Sequence, residues 1–157
     1  KNSKNRIPYG IELIKKYERD SWIVFTENKK QAKEFNNKVN HIKGFESGIY
    51  NTDLKDDERQ ENLENFKAGK LNVLVSCTAL DEGFDMPEAD GAMILSASSS
   101  KRQRIQRMGR VLRITANKEN ALIVTVYSSK TEYEKLREES NRYKLEGVPV
   151  KWQQMSL

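Results

Sequence analysis

Asn72-Val73-Leu74-Val75-Ser76-Cys77 is the clearest strand signal in the sequence, a short and continuous apolar run. A strand with one face in water alternates polar and apolar residues, whereas a strand buried on both faces reads as an uninterrupted apolar run. The stretch therefore predicts a strand inside a parallel sheet, with other elements covering both of its sides.

Strand and helix signals alternate on either side of this run. Apolar patterns predict strands over 21–26, 46–50, 92–95 and 121–127, and helices over 8–19, 28–40, 55–68, 101–113 and 131–146. The alternation is typical of βαβ units and predicts an α/β fold, a mostly parallel central sheet flanked by helices. Ligands bind such sheets at the carboxyl ends of the strands. A site is thus expected in the loops after Thr26, Tyr50, Cys77 and Leu95.

The length of 157 residues suits a single domain over 1–157, with a core over about 20–146. No apolar run is long enough to span a membrane, and no signal peptide is visible. The one cysteine, Cys77, excludes an internal disulfide and indicates an intracellular setting, cytoplasmic or nucleoid-associated. With one cysteine and one histidine, His41, no metal site of the usual zinc type is expected. The first residue is lysine, so we expect a piece of a longer protein.

Positive charge is concentrated in one short segment. The net charge is +5, and residues 101–113 carry six arginines and lysines with no acid, so the rest of the chain carries −1. A focused basic patch usually has an anionic partner, most often phosphate. The alternative is a solvated surface helix.

The basic segment can present two arginines together. At about 100° per residue, Gln106, Arg110 and Arg113 fall within roughly 60° of one another on a helix. The opposite face can pack on a sheet through Ile105, Met108 and Leu112. Two fixed guanidinium groups suit the oxygens of a triphosphate and the charge that develops in phosphoryl transfer. Surface salt bridges are the alternative.

A second segment, residues 78–88, directly follows the apolar run and is therefore expected at the ligand edge. Thr78 offers a hydroxyl and a backbone N–H, and Gly83 offers an N–H with no side chain in the way. Asp85 offers a carboxylate that could hold a sugar hydroxyl. An ordinary turn is the alternative interpretation of this segment taken alone.

Together the two segments resemble motifs V and VI of superfamily 2 helicases. Residues Gln106 to Arg113 match the motif VI pattern Gln-Arg-x-Gly-Arg-x-x-Arg. Residues Thr78 to Pro87 resemble motif V of the branch that contains XPB, UvrB and the motor subunits of type I and type III restriction enzymes. Residues 22–26 resemble motif IV, and the whole resemblance extends over about residues 20–127.

The resemblance implies a RecA-like domain and a role for each matching residue. Arg110 and Arg113 would be arginine fingers that reach ATP on a partner domain, and Gln106 would lie near the γ-phosphate and the attacking water. Gly83 would contact the γ-phosphate through its backbone, and Asp85 would touch the ribose or link to motif VI. The residues expected to hold the nucleic-acid backbone are Thr78, Thr26, Asn28 and Thr52.

Two parts of an ATPase site are missing from the sequence. Neither a Gly-x-x-x-x-Gly-Lys-Ser/Thr phosphate loop nor an Asp-Glu-x-Asp/His magnesium motif occurs. ATP and Mg²⁺ are thus expected to be held mainly by an N-terminal RecA-like domain of the same polypeptide, upstream of Lys1. The chain would be the C-terminal motor half of an ATP-dependent helicase or translocase, inactive alone.

Nucleic acid is the expected partner. DNA is favoured over RNA because Glu82 stands where many RNA-helicase relatives carry arginine, directly before the motif V glycine. One alternative is a non-catalytic nucleic-acid-binding module with the same fold and no upstream motor half. Another is an unrelated nucleotide-binding α/β enzyme, which would need phosphate-loop glycines after the first strand, where residues 26–29 have none.

Overall fold

A computed structural model of the chain describes residues 6–17, 19–77, 87–98, 100, 122–147 and 149–156. These residues form the helices α1 (Arg6–Lys16), α2 (Lys29–Asn40), α3 (Asp56–Lys67) and α4 (Lys130–Leu145), and the strands β1 (Trp22–Phe25), β2 (Ser47–Ile49), β3 (Val73–Ser76), β4 (Gly91–Ile94) and β5 (Leu122–Thr125). Each element overlaps a range predicted from the sequence, which confirms the α/β prediction. None of the four helices has the length and apolar composition needed to cross a membrane.

The ends of the helices follow from single residues. α2 begins after Asn28, whose side-chain Oδ1 accepts a hydrogen bond from the backbone N–H of Gln31 at 2.9 Å. Asparagine is a favoured cap because it satisfies an N–H that the first helical turn leaves without a partner. α3 ends just before Gly69, whose φ of +77° lies in the left-handed region that glycine adopts without strain.

The five strands form one parallel sheet in the order β2-β3-β1-β4-β5. The central strand β1 pairs with β3 so that Phe25 lies beside Ser76, and with β4 so that Phe25 lies beside Ile94. The outer strands β2 and β5 are also parallel to their neighbours. Because all five strands run in one direction, the loops that follow them meet at one edge of the sheet.

Helices of the first 67 residues cover both faces of this sheet. Every residue of β1, β3 and β4 is buried, as the uninterrupted apolar runs predict. On one face, Gly10 of α1 lies close to Phe35 of α2 and to Met93 of β4. On the other face, α3 packs on the sheet in a cluster that consists of Ile23, Phe25, Leu63, Phe66, Leu74, Ala89, Ala92 and Ile94.

One glycine of the sheet makes room for a tryptophan. A Cβ atom built on Gly91, the first residue of β4, would lie 2.6 Å from Cε3 and 2.7 Å from Cζ3 of Trp22. Trp22 is fully buried and is the residue that pairs with Gly91 in the sheet. The indole ring therefore occupies the space that any other side chain at position 91 would need.

One expectation from the sequence is corrected by the structure. The apolar run over 121–127 predicts a buried strand, but β5 is only half buried, and its Ile123 is 37% exposed. Among the strands that the structure describes, β5 lies at the edge of the sheet and pairs only with β4. Ile7 and Ile14 of α1 are also buried, and the core predicted over about 20–146 stays a prediction.

The chain divides into two compact units, Lys1–Val126 and Tyr127–Leu157. The first unit contains the sheet. The second contains α4 and a tail whose described residues have no regular secondary structure. Within the second unit the rings of Tyr127, Tyr133 and Trp152 pack together, with centroids 5.2–6.1 Å apart. The single domain predicted over 1–157 stays a prediction.

Candidate functional site

The described part of the candidate site is the edge at which the parallel strands end. The backbone ladder continues slightly beyond the strands there: the N–H of Thr26 donates to the carbonyl of Ser76 at 2.9 Å, and the N–H of Leu95 donates to that of Phe25 at 2.8 Å. The first residues after β1, β2 and β4, which are Thr26, Tyr50 and Leu95, are thus anchored side by side. This is the position at which ligands bind open α/β sheets.

Thr26, the first residue after β1, is directed into the protein. It is fully buried, and its Oγ1 donates to the carbonyl of Asn28 at 3.2 Å and lies 3.5 Å from the carbonyl oxygen of Ser76. In this conformation the hydroxyl shapes the loop. Its contact with nucleic acid stays a prediction.

Asn28, two residues further on, is exposed at the N-terminus of α2. Its Oδ1 is used as the helix cap, which fixes the side chain at the surface of the edge. Lys29 and Lys30 follow it and are also exposed. The first turn of α2 contains no acidic residue. A helix N-terminus carries partial positive charge, so this corner of the edge favours an anion such as a phosphate.

Glu27 lies between Thr26 and Asn28 in the sequence and joins the end of β1 to the end of β4. Its Oε2 accepts hydrogen bonds from the Oγ of Ser96, at short distance, and from the backbone N–H of Ala97 at 2.8 Å. Its own N–H donates to Oε1 of Gln31 at 2.7 Å. We assigned no role to Glu27 from the sequence, and the only signal for one is a charged residue directly after a buried strand.

Asn51 makes the corresponding connection between β2 and β3. The side chain is 1% exposed, and its Oδ1 accepts a hydrogen bond from the backbone N–H of Cys77 at 2.9 Å. Its Nδ2 is buried without a hydrogen-bond partner among the residues described. Cys77 itself is buried.

Thr52 lies beside Asn51 on the surface of the same loop, where its side chain is exposed. Arg59 of α3 stacks over the half-buried ring of Tyr50, with 5.6 Å between Cζ and the ring centroid. Thr52 and Asn28 are therefore the two predicted nucleic-acid contacts that the structure places on the surface of the strand-end loops.

The remaining predicted site residues lie outside the described part of the chain: Thr78, Gly83, Asp85, Gln106, Arg110 and Arg113. The helix predicted over 101–113 lies outside it as well. The residues that precede these segments are described, and both belong to the strand-end edge. Cys77, at the end of β3, directly precedes Thr78, and Ser98, after β4, precedes the basic segment by three residues. The roles of the six residues stay predictions.

The described residues include no group of three or more histidine, cysteine, aspartate or glutamate side chains that could hold a metal ion.

Comparisons with known proteins agree with this fold. The family model described as the helicase conserved C-terminal domain matches residues 5–115, a range that includes both motif segments. The C-terminal domain of the DEAD-box protein Dbp5 superposes with a TM-score of 0.72 at 21% identity, covering 89% of this chain and 79% of that chain. The likeness confirms the RecA-like fold that the motif resemblance implies.

Two curated relatives cover most of this chain. DNA 3'-5' translocase XPB2 of Sulfurisphaera tokodaii is 33% identical over 132 residues, which is 84% of this chain and 28% of the relative. ATP-dependent rRNA helicase RRP3 of Kluyveromyces lactis is 29% identical over 117 residues, which is 74% of this chain and 24% of the relative. The chain thus spans about a quarter of the length of these relatives.

Proposed function

We propose, because the chain belongs to the family of helicase conserved C-terminal domains, that it is the C-terminal motor half of an ATP-dependent superfamily 2 helicase or translocase that acts on DNA. One observation carries the proposal. The segments that resemble motifs V and VI follow β3 and β4, two strands that end at the same edge of a parallel sheet. A nucleotide and a nucleic-acid strand can therefore both be bound at one edge of the sheet.

The nucleic-acid side of the proposal rests on the loops after β1 and β2. Asn28 and Thr52 are exposed there, and the N-terminus of α2 adds Lys29 and Lys30. These groups suit phosphate oxygens, whose recognition carries no base sequence. Thr78, and Thr26 if the loop rearranges, would complete the contacts with the backbone of the strand.

The ATP side of the proposal rests on the motif resemblance. Arg110 and Arg113 would act as arginine fingers and Gln106 would lie near the attacking water, while Gly83 and Asp85 would contact the nucleotide. ATP and Mg²⁺ would be held mainly by an N-terminal RecA-like domain of the same polypeptide. Two guanidinium groups that reach across a cleft stabilise the charge that develops on the transferred phosphoryl group.

A cycle of cleft closure and opening follows from this arrangement. ATP bound between the two motor domains engages both arginines and closes the cleft. Hydrolysis weakens that bridge and opens the cleft, so the phosphate contacts of the two domains shift along the strand in turn. Since the contacts are made to phosphates, the movement is largely independent of base sequence.

We propose DNA rather than RNA as the track on two grounds. The XPB2 relative, named a DNA translocase, shares more identity over more of this chain than the RRP3 relative, named an rRNA helicase. Glu82 also stands where many RNA helicases of the superfamily carry arginine. RNA is an explicit arm of the test below.

The decisive experiment measures ATP hydrolysis by the intact parent protein, alone and with single-stranded DNA, duplex DNA and RNA. The Arg110→Ala variant is compared with Arg142→Ala, which removes an exposed arginine from α4. We expect DNA to stimulate hydrolysis, Arg110→Ala to lower the stimulated kcat by about a hundredfold or more, and Arg142→Ala to change it less than about twofold.

Other outcomes lead to other conclusions. Stimulation by RNA alone would identify RNA as the track and leave the motor assignment in place. If no nucleic acid stimulates hydrolysis, or if Arg110→Ala stays within about twofold of the wild-type rate, the motor assignment is wrong. The non-catalytic nucleic-acid-binding module would then be the better interpretation of the basic segment.

A further inference from the structure

The carboxylate of Glu27 extends the pairing of β1 with β4 beyond the last backbone hydrogen bond between them. That last bond runs from the N–H of Leu95 to the carbonyl of Phe25. Glu27 then accepts hydrogen bonds from the hydroxyl of Ser96 and the N–H of Ala97. Its carboxylate thus takes the place of the backbone carbonyl that would accept the next hydrogen bond between the two strands. The loop after β4 is thereby fixed at its second and third residues, Ser96 and Ala97.

Stability explains only the contact with Ser96, which is fully buried and needs an acceptor for its hydroxyl. Ala97 is exposed, so water can satisfy its N–H if the carboxylate is removed, and that hydrogen bond contributes little to the free energy of unfolding. What the carboxylate does determine is the direction in which the chain leaves β4, because bonds to an ionised acceptor are shorter and stronger than neutral ones.

The place of Glu27 in the sequence gives this geometry a consequence. Its neighbours on either side are Thr26 and Asn28, the two predicted nucleic-acid contacts of the loop after β1. The residue it holds, Ala97, precedes the basic segment 101–113 by four residues. A single side chain thus connects the loop proposed to contact the track with residues that lead into the segment proposed to contact ATP.

We propose that Glu27 is a positioning residue that couples binding of nucleic acid at the β1 loop to placement of the arginine segment after β4. It acts through Ser96 and Ala97 and touches neither ATP nor nucleic acid. The proposal rests on the motor function proposed above. It assigns to Glu27 an effect on stimulated turnover that is separate from any effect on folding or on affinity for the track.

The test compares Glu27→Gln, Ser96→Ala and the double variant in the intact parent protein. Glutamine keeps the size and one acceptor oxygen but loses the charge, and the serine variant removes one donor. The matched control is Glu34→Gln, which neutralises a glutamate on the exposed side of α2 whose Oε1 lies 3.9 Å from Lys38. Each variant is measured for DNA-stimulated kcat, the KM for DNA, DNA affinity without nucleotide, and Tm.

We expect Glu27→Gln to lower the stimulated kcat about five- to tenfold, with DNA affinity without nucleotide and Tm close to wild type. Ser96→Ala should also lower kcat. The double variant should lower kcat by no more than the product of the two single fold-reductions, because both substitutions act on one contact. Glu34→Gln should leave every quantity unchanged.

Three outcomes overturn the coupling. If DNA stimulates the wild type and Glu27→Gln keeps kcat within about twofold, the coupling is wrong while the motor function stands. If kcat falls only in proportion to the folded fraction reported by circular dichroism, Glu27 is merely structural. If DNA and RNA both fail to stimulate the wild type, the motor function itself is wrong and the coupling falls with it.

Discussion

The Oδ1 atom of Asn51 lies 2.9 Å from the backbone nitrogen of Cys77, and the hydrogen bond between them joins the ends of two neighbouring strands. Both residues are buried, so water does not replace the bond if either group is lost. Cys77 is the last described residue before the segment that resembles motif V. The backbone of Cys77, from which the chain continues into that segment, is therefore held by an amide side chain 26 residues upstream.

Asn51→Ala is expected to destabilise the chain. The substitution leaves the buried N–H of Cys77 without its acceptor, which costs about 1–3 kcal/mol in the free energy of unfolding. Urea denaturation followed by circular dichroism measures the difference. Asn37→Ala, at an exposed position of α2, is the control and should change the free energy by less than about 0.5 kcal/mol. Equal costs at the two positions would contradict the importance of the Asn51 contact.

Gly91→Ala is expected to be among the most damaging single-methyl changes in the sheet. The added Cβ would lie 2.6 Å from Cε3 of Trp22, an atom of a rigid ring that is itself fully buried. Overpacking of this kind costs about 1–3 kcal/mol, measured as a lower midpoint of urea denaturation.

Gly48→Ala in β2 is a matched control for Gly91→Ala. The nearest atom to its added Cβ is Cδ1 of Leu71 at 2.7 Å, the end of a side chain that can rotate away. We expect a smaller loss of stability than at Gly91. A larger loss at Gly48 than at Gly91 would show that the ring of Trp22 does not occupy the space over position 91.

The two tryptophans of the chain should differ in fluorescence. Trp22 is fully buried in the first unit, whereas Trp152 is 38% exposed in the second. A Trp152→Phe variant should therefore emit at shorter wavelength than the wild type and resist quenching by acrylamide. Its Stern–Volmer constant should rise to that of a free indole only in denaturing urea. Strong quenching of the native variant would contradict the burial of Trp22.

The fold is predictable largely because apolar runs and helical periods are local signals. β3 and α3 lie where the pattern of apolar residues predicts them, since each buries the apolar residues of that pattern. β2 is harder, because Ser47-Gly48-Ile49 has no apolar run and becomes a strand by pairing with β3. The exposure of Ile123 was not predictable, since strand order in the sheet decides which strands lie at an edge.

The edge at which the loops meet is predictable from the sequence, but the orientation of its side chains is less so. Polar residues directly after buried strands predict loops that share one edge, and the parallel strands do end at one edge, yet the sequence does not tell which of these residues face inward. Thr26 is buried, whereas Asn28 is exposed. Glu27 and Asn51 were missed because their partners, Ala97 and Cys77, lie 70 and 26 residues away, and only the strand order brings them together.

Asn28 allows the stability of α2 and the proposed binding of nucleic acid to be separated. Asn28→Asp keeps an acceptor oxygen for the N–H of Gln31 and adds negative charge at a helix N-terminus, so we expect stability to change by less than about 0.5 kcal/mol. Asn28→Ala loses the cap and should cost about 1 kcal/mol. Binding of nucleic acid should be weakened more by Asn28→Asp than by Asn28→Ala, because only the aspartate repels a phosphate.

Fluorescence anisotropy with labelled single-stranded DNA and the intact protein measures this difference. We expect Asn28→Asp to weaken binding about three- to tenfold at low salt, with the effect shrinking as salt screens the charge. Asn37→Asp makes the same change of charge on an exposed position two helical turns from the edge. If it weakens binding as much as Asn28→Asp, the net charge of the protein explains the effect, and Asn28 is not a contact to the nucleic-acid backbone.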